Sequence, residues 1–160
     1  MNMIANGRFP REIFAAFAPR GKFKVLKKDG RTVVDPASFA RYDAFAAMVA
    51  KVDAVAAAKM LEELGPLFDA ALRGLGERRT TLREAFPAAA GELLQTPALE
   101  GDIVLLPGKK GIVWVYAEER LESRSLVQKQ LMRMGPRNQA AVQAKLRAVA
   151  LALGVPGSKP

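Results

Sequence analysis

Three carboxylates around one predicted hairpin are the first residues in this chain whose types and spacing suit chemistry. In DIVLLPGKKGIVWVYAEER the runs 103–106 and 112–116 are β-branched and aromatic, and a Pro-Gly-Lys-Lys-Gly loop joins them. Pairing Leu106 with Ile112 would set Asp102 opposite Tyr116 and Glu100 opposite Glu118, with Glu119 and Arg120 directly after. Three oxygen donors at the open end of a hairpin can hold Mg²⁺ for phosphodiester cleavage. Acids also gather where strands meet loops with no catalytic role, and the Glu-x-Lys ending wanted beside such a site is missing. Nothing else enlarges the catalytic menu. The chain has no His and no Cys, which excludes a His base, a Cys nucleophile, a Ser-His triad and a structural zinc. The chain reads as a non-enzyme with no cofactor.

Three further constellations point toward anions. The loop Pro107–Gly111 can form a nest of backbone N–H groups for a phosphate, with Lys109 and Lys110 adding charge. It lacks the Gly-Lys-Ser/Thr ending of a Walker motif, and a polar hairpin tip is the plainer reading. The tail LVQKQLMRMGPRNQAAVQAKLRAVALAL has the outline of a helix-turn-helix. In that reading Gln139, Gln143 and Arg147, at i, i+4 and i+8, read base edges while Arg133 and Arg137 contact phosphate. An ordinary αα-hairpin has the same outline, and Pro136 in the turn counts against the DNA-reading version. Finally, GKFKVLKKDGRTVVDP packs five cations around one Asp-Gly turn. Trp114 and Tyr116 alternate on one strand face, where a stacking platform for bases and a buried sheet compete, with the buried sheet favoured.

The elements that would position these groups follow from local pattern. A type I′ turn at Asp29-Gly30 pairs Lys28 with Arg31, Lys27 with Thr32, Leu26 with Val33 and Val25 with Val34. Alternation then places Phe23, Val25, Lys27, Thr32 and Val34 on one face. Lys22, Lys24, Lys28 and Arg31 share the other around the Leu26–Val33 pair. Asp35-Pro36 starts a long helix over 36–64, stopped by Gly65-Pro66, with a shorter helix over 67–73. A short helix is expected over 10–17. The capping-box pairs Thr81/Glu84 and Ser125/Gln128 start two more, the first interrupted at Pro87. A last helix covers 138–153. The second hairpin, apolar on both faces, should lie centrally and be covered on both sides. The expected architecture is one α+β domain over 1–154. It comprises two hairpins in a small antiparallel sheet and five to six helices, and a frayed tail covers 155–160.

Charge decides which function class leads. Residues 1–31 carry eight Lys/Arg and two acids, residues 32–119 nine and thirteen, and residues 120–160 eight and one, for a net charge of +9. Two basic ends flanking an acidic middle suggest a polyanion partner more than the total does, although net charge also serves solubility. The leading expectation is a non-enzymatic nucleic-acid-binding protein whose basic ends share one surface. The alternative is an assembly subunit, adaptor or inhibitor of a phage or plasmid, docking or oligomerising through the Ala-rich helix 36–64. No run is apolar or long enough to cross a bilayer, the N-terminal apolar stretch is too weak for a secretory signal, and a cytoplasmic protein is the default.

Overall fold

The computed structural model describes residues 4, 6–7, 19, 21–74, 81–109 and 113–155. Asp29-Gly30 sets the first element: both residues have positive φ, 50° and 73°, as a type I′ turn requires. Strands β1 (Val25–Lys28) and β2 (Arg31–Val34) therefore pair in the expected register, Val25 with Val34 through Lys28 with Arg31. Their faces do not divide as expected. Val33, assigned to the cationic face, is only 3% exposed while its partner Leu26 is 46% exposed. The reason is a second neighbour: Val33 bridges to Val104, and Val34 N–H donates to Ile103 O at 3.0 Å. β1 is thus the outer strand and β2 the inner one.

The second hairpin, β3 (Leu105–Pro107) and β4 (Trp114–Tyr116), pairs Leu105 with Tyr116, Leu106 with Val115 and Pro107 with Trp114. This is three residues away from the expected pairing of Leu106 with Ile112. Long-range bonds fix the observed register, with Ala117 N–H on Val104 O at 3.0 Å and Tyr116 N–H on Glu122 Oε2 at 2.9 Å. Gly108 allows the strands to close at the tip, where any Cβ would lie 2.8 Å from a Val113 methyl. Nor is this hairpin covered on both faces. Leu105 is buried, but Leu106, Val113 and Trp114 are 50%, 56% and 40% exposed. The two hairpins form two small two-stranded sheets joined through the one bridge, not a continuous sheet.

Among the described residues there are seven helices, and the fold is α+β. The expected helix 36–64 is three: α1 (Ala37–Ala40), α2 (Asp43–Lys51) and α3 (Ala54–Gly74). Its start is as anticipated, with Asp35 Oδ1 accepting Ala37 N–H at 2.8 Å. Its break comes at Val52, whose backbone is extended, because Asp53 caps a new helix by accepting Ala56 N–H at 2.7 Å. Its end was misplaced. Pro66 lies inside α3, so one helix replaces the stop at Gly65-Pro66 and the separate helix over 67–73. Pro87 lies inside α4 (Leu82–Leu94), so of the two forms open for 81–95, two short helices or a single kinked one, the single helix is found. An interior proline costs about 3 kcal/mol. Burial of Ala58 and Gly65 on α3, and of Ala85, Phe86, Ala89 and Ala90 on α4, offsets it.

Both capping boxes form, at Thr81/Glu84 and at Ser125/Gln128, starting α4 and α6 (Leu126–Met132). The short α5 (Glu119–Glu122) precedes α6, and α7 (Gly135–Ala152) begins three residues earlier than expected. Gly135 takes φ 80° and lies against Phe39 with no room for a Cβ. α7 is the hub, touching α2, α3, α4 and α6. Around it sit three apolar clusters: Leu121 and Met132 with the strands, Tyr42 and Leu131 with α2, Phe86 and Val149 with α3 and α4. The helix expected over 10–17 and residues 156–160 of the tail lie outside the described residues. No described helix is long and apolar enough to cross a membrane.

Candidate nucleic-acid interface

A buried serine begins the site. Ser38, 1% exposed on α1, accepts the Lys24 N–H at 2.8 Å and donates to the Lys24 carbonyl at 3.0 Å. This staples the segment leading into β1 onto the helix. One turn on, Arg41 donates from Nε to Ser38 O at 2.9 Å and from Nη1 to Gly21 O at 3.2 Å. Its guanidinium lies 5.7 Å from the Phe23 ring centroid and 5.6 Å from that of Tyr42, within cation–π range. Buried Tyr42 accepts from Gln130 Nε2 at 3.2 Å, and Gln130 Oε1 accepts from Arg133 Nη1 at 3.3 Å. A chain of contacts thus runs from Gly21 through Arg41, Tyr42 and Gln130 to Arg133. It links the N-terminal basic segment to the C-terminal one.

Among the described residues, most of the cations along this chain make no ion pair. Lys22, Lys24, Arg31, Arg133 and Arg137 are exposed, and none of them nor Arg41 makes an ion pair with a described residue. Lys28 differs from its expected role: its Nζ is 2.7 Å from Asp102 Oδ2. That pair, then the coulombic pull of Asp102, raises the Lys28 pKa and removes Lys28 from the free cations. Lys109 is exposed at the β3–β4 tip, and Lys110 lies outside the described residues.

Beneath Arg133 lies a half-buried polar group. Lys129 Nζ donates to Glu122 Oε1 at 2.7 Å and to the Glu122 carbonyl at 2.8 Å. Burial pushes the Glu122 carboxyl up, but the Lys129 hydrogen bond, the Tyr116 N–H and the charges of Lys129 and Arg133 outweigh it and hold the group below 4.5. Burial likewise pushes the Tyr116 phenol up to about 12, with Arg133 opposing and Glu122 and Tyr42 adding. Arg133 is therefore electrostatically coupled to the base of β4.

Two expected sites dissolve. Gln139 and Gln143, assigned to base readout, are 1% and 8% exposed and face inward. Gln139 Nε2 donates to Pro97 O at 2.8 Å, and Gln143 Nε2 to Leu93 O at 3.1 Å and Thr96 O at 3.2 Å. A helix leaves its last carbonyls without internal partners; Gln143 serves the end of α4, and Gln139 serves the turn that follows it. Arg147 does emerge, because positions four apart drift about 40° on a 3.6-residue helix. The helix-turn-helix reading is thereby corrected: α6 and α7 form an αα-hairpin whose amide stripe is core. The carboxylate cluster fails through the register of β3 and β4. Asp102 pairs with Lys28, Glu118 pairs with Arg120 at 2.7 Å, and no group of three potential ligands occurs among the described residues.

Sequence reasoning missed Ser38, Arg41, Tyr42 and Gln130. Arg41 and Tyr42 were hidden by the supposed continuous helix, since only the break after Ala40 turns them toward Gly21 and α6.

Comparison with known families adds one finding. Residues 1–150 match the family described as "Protein of unknown function (DUF3014)". The chain belongs to DUF3014. No curated protein and no solved structure is a match. The Arg41–Tyr42–Gln130–Arg133 chain lies wholly within the stretch that defines this DUF3014 member.

Proposed function

We propose that this chain binds nucleic acid without catalysing a reaction. Cations from both basic segments contact phosphates: Lys22, Lys24 and Arg31 from the first hairpin, Arg133 and Arg137 from the last helices, and Arg41 between them. The observation that carries this reading is the contact chain from Gly21 to Arg133, which joins two like-charged segments through Arg41, Tyr42 and Gln130. Like charges gathered on one side repel one another, and a polyanion relieves that repulsion. The readout is of backbone, since the amides once assigned to bases are buried. A gel-shift titration at low and moderate ionic strength tests it. Binding that weakens steeply with salt is expected, and no binding at low salt overturns the reading.

A second reading, assembly with a protein partner, is favoured by one observation. Met60, Leu64, Leu67 and Phe68 on α3 are 54%, 38%, 68% and 51% exposed and fall on one side of the helix. The small residues Ala54, Ala57 and Ala58, by contrast, face the chain's own core. A solution mass above that of the monomer, returned to monomer by Leu67→Glu, supports assembly; monomer for both chains rejects it.

A further inference from the structure

The tip of the second hairpin carries apolar surface that the fold leaves uncovered, beside the cations just described. Trp114 is 40% exposed, and its cross-strand partner Pro107 is exposed as well. Trp114 shares a strand face with Tyr116, about 7 Å farther along. Tyr116 N–H donates to Glu122 Oε2, Glu122 is held by Lys129, and Arg133 follows one turn after Lys129, so the strand that carries the indole is tied to the end of α6 where the exposed Arg133 stands. The indole leaves part of its ring open to a partner, apolar on its faces and polar at its N–H.

We infer that the polyanion is an unpaired nucleic-acid strand, whose bases stack on Trp114 while Arg133 and neighbouring cations hold its phosphates. The inference rests on the proposed function and narrows it. Charge complementarity selects an anion, and the exposed ring selects one with accessible π faces. A duplex turns its base faces inward and offers a flat ring only edges and phosphates, whereas a single strand offers faces to any aromatic platform. The exposed aliphatics Leu106 and Val113 belong to the opposite face of the same hairpin, so the stack rests on Trp114 and Pro107 alone.

Trp114 is the only tryptophan in the chain, so its fluorescence reports this contact alone. The test uses the full chain, an oligothymidylate, a blunt duplex of equal length and vesicles of anionic phospholipid, with binding followed separately by anisotropy of labelled oligonucleotide. Expected is saturable quenching by the single strand but not by the duplex. Trp114→Ala should weaken single-strand binding roughly 5- to 150-fold, leave duplex binding unchanged, and be largely restored by Trp114→Phe. Equal binding of both nucleic acids, with no quenching and no effect of Trp114→Ala, overturns this inference and leaves the proposed function standing. Binding of neither overturns both, as does a fluorescence change with vesicles alone. Melting of each variant shows that the fold is intact.

Discussion

At the scale of single residues, buried polar groups do more than their number suggests. Gln139 and Gln143 hold carbonyls at and just past the end of α4. Truncating Gln139 to Ala should cost roughly 1–3 kcal/mol of stability, the usual penalty for orphaned buried groups, and leave affinity for nucleic acid unchanged. Denaturant titration with a parallel gel shift checks both halves; lost affinity with unchanged stability would restore the base-reading role. Gly135 makes a second demand. Its φ of 80° is unfavourable for any L side chain and the Phe39 ring occupies the Cβ position. Gly135→Ala should therefore lose roughly 2–4 kcal/mol, from left-handed backbone and overpacking together, measured as a lowered melting midpoint. Neither role was legible in the sequence. A glutamine stripe at i, i+4 reads the same whether it faces a groove or a neighbouring helix end, and only the partner element decides.

At the scale of elements, what could be read locally was read correctly and what depended on tertiary partners was not. The Asp29-Gly30 turn and the capping boxes at Thr81 and Ser125 are set by residues within four positions of one another, and each forms where expected. The break at Val52 and the persistence of helices through Pro66 and Pro87 depend on what packs alongside, which propensity does not contain. The register of β3 and β4 likewise depends on Glu122, which draws the Tyr116 N–H, and on Lys129 behind it. This α5–α6 clasp makes a pH prediction. The Glu122 carboxyl titrates below 4.5 in the folded state, so its contribution is complete above that value and disappears as the pH falls through the lower folded one. Tyr116 sets the alkaline side: its phenol, at about 12 against 10.0, lets the unfolded chain ionise first, and stability declines from pH 10 upward. Melting temperature against pH should show both limbs, with Glu122→Gln flattening the acid limb and Tyr116→Phe the alkaline one. An acid limb unchanged in Glu122→Gln would remove the clasp from the account.

At the scale of the whole molecule, the basic–acidic–basic order of the chain was visible at once, but its meaning required the fold. Segments more than a hundred residues apart meet because Arg41 and Tyr42, at the junction of α1 and α2, touch the first hairpin's approach on one side and α6 on the other. Cutting that junction should divide the surface. Arg41→Ala should weaken binding to all sequences alike and reduce the salt slope by about one contact. The most direct measurement of the central claim is affinity for an oligonucleotide across a series of salt concentrations. If both basic segments engage together, roughly four to six phosphates should give log K against log salt a slope of about −3 to −4 for a single strand. Charge reversal of Lys22 with Lys24, or of Arg133 with Arg137, should each shallow that slope. A slope near zero, or one that only one of the two reversals alters, would contradict a shared surface.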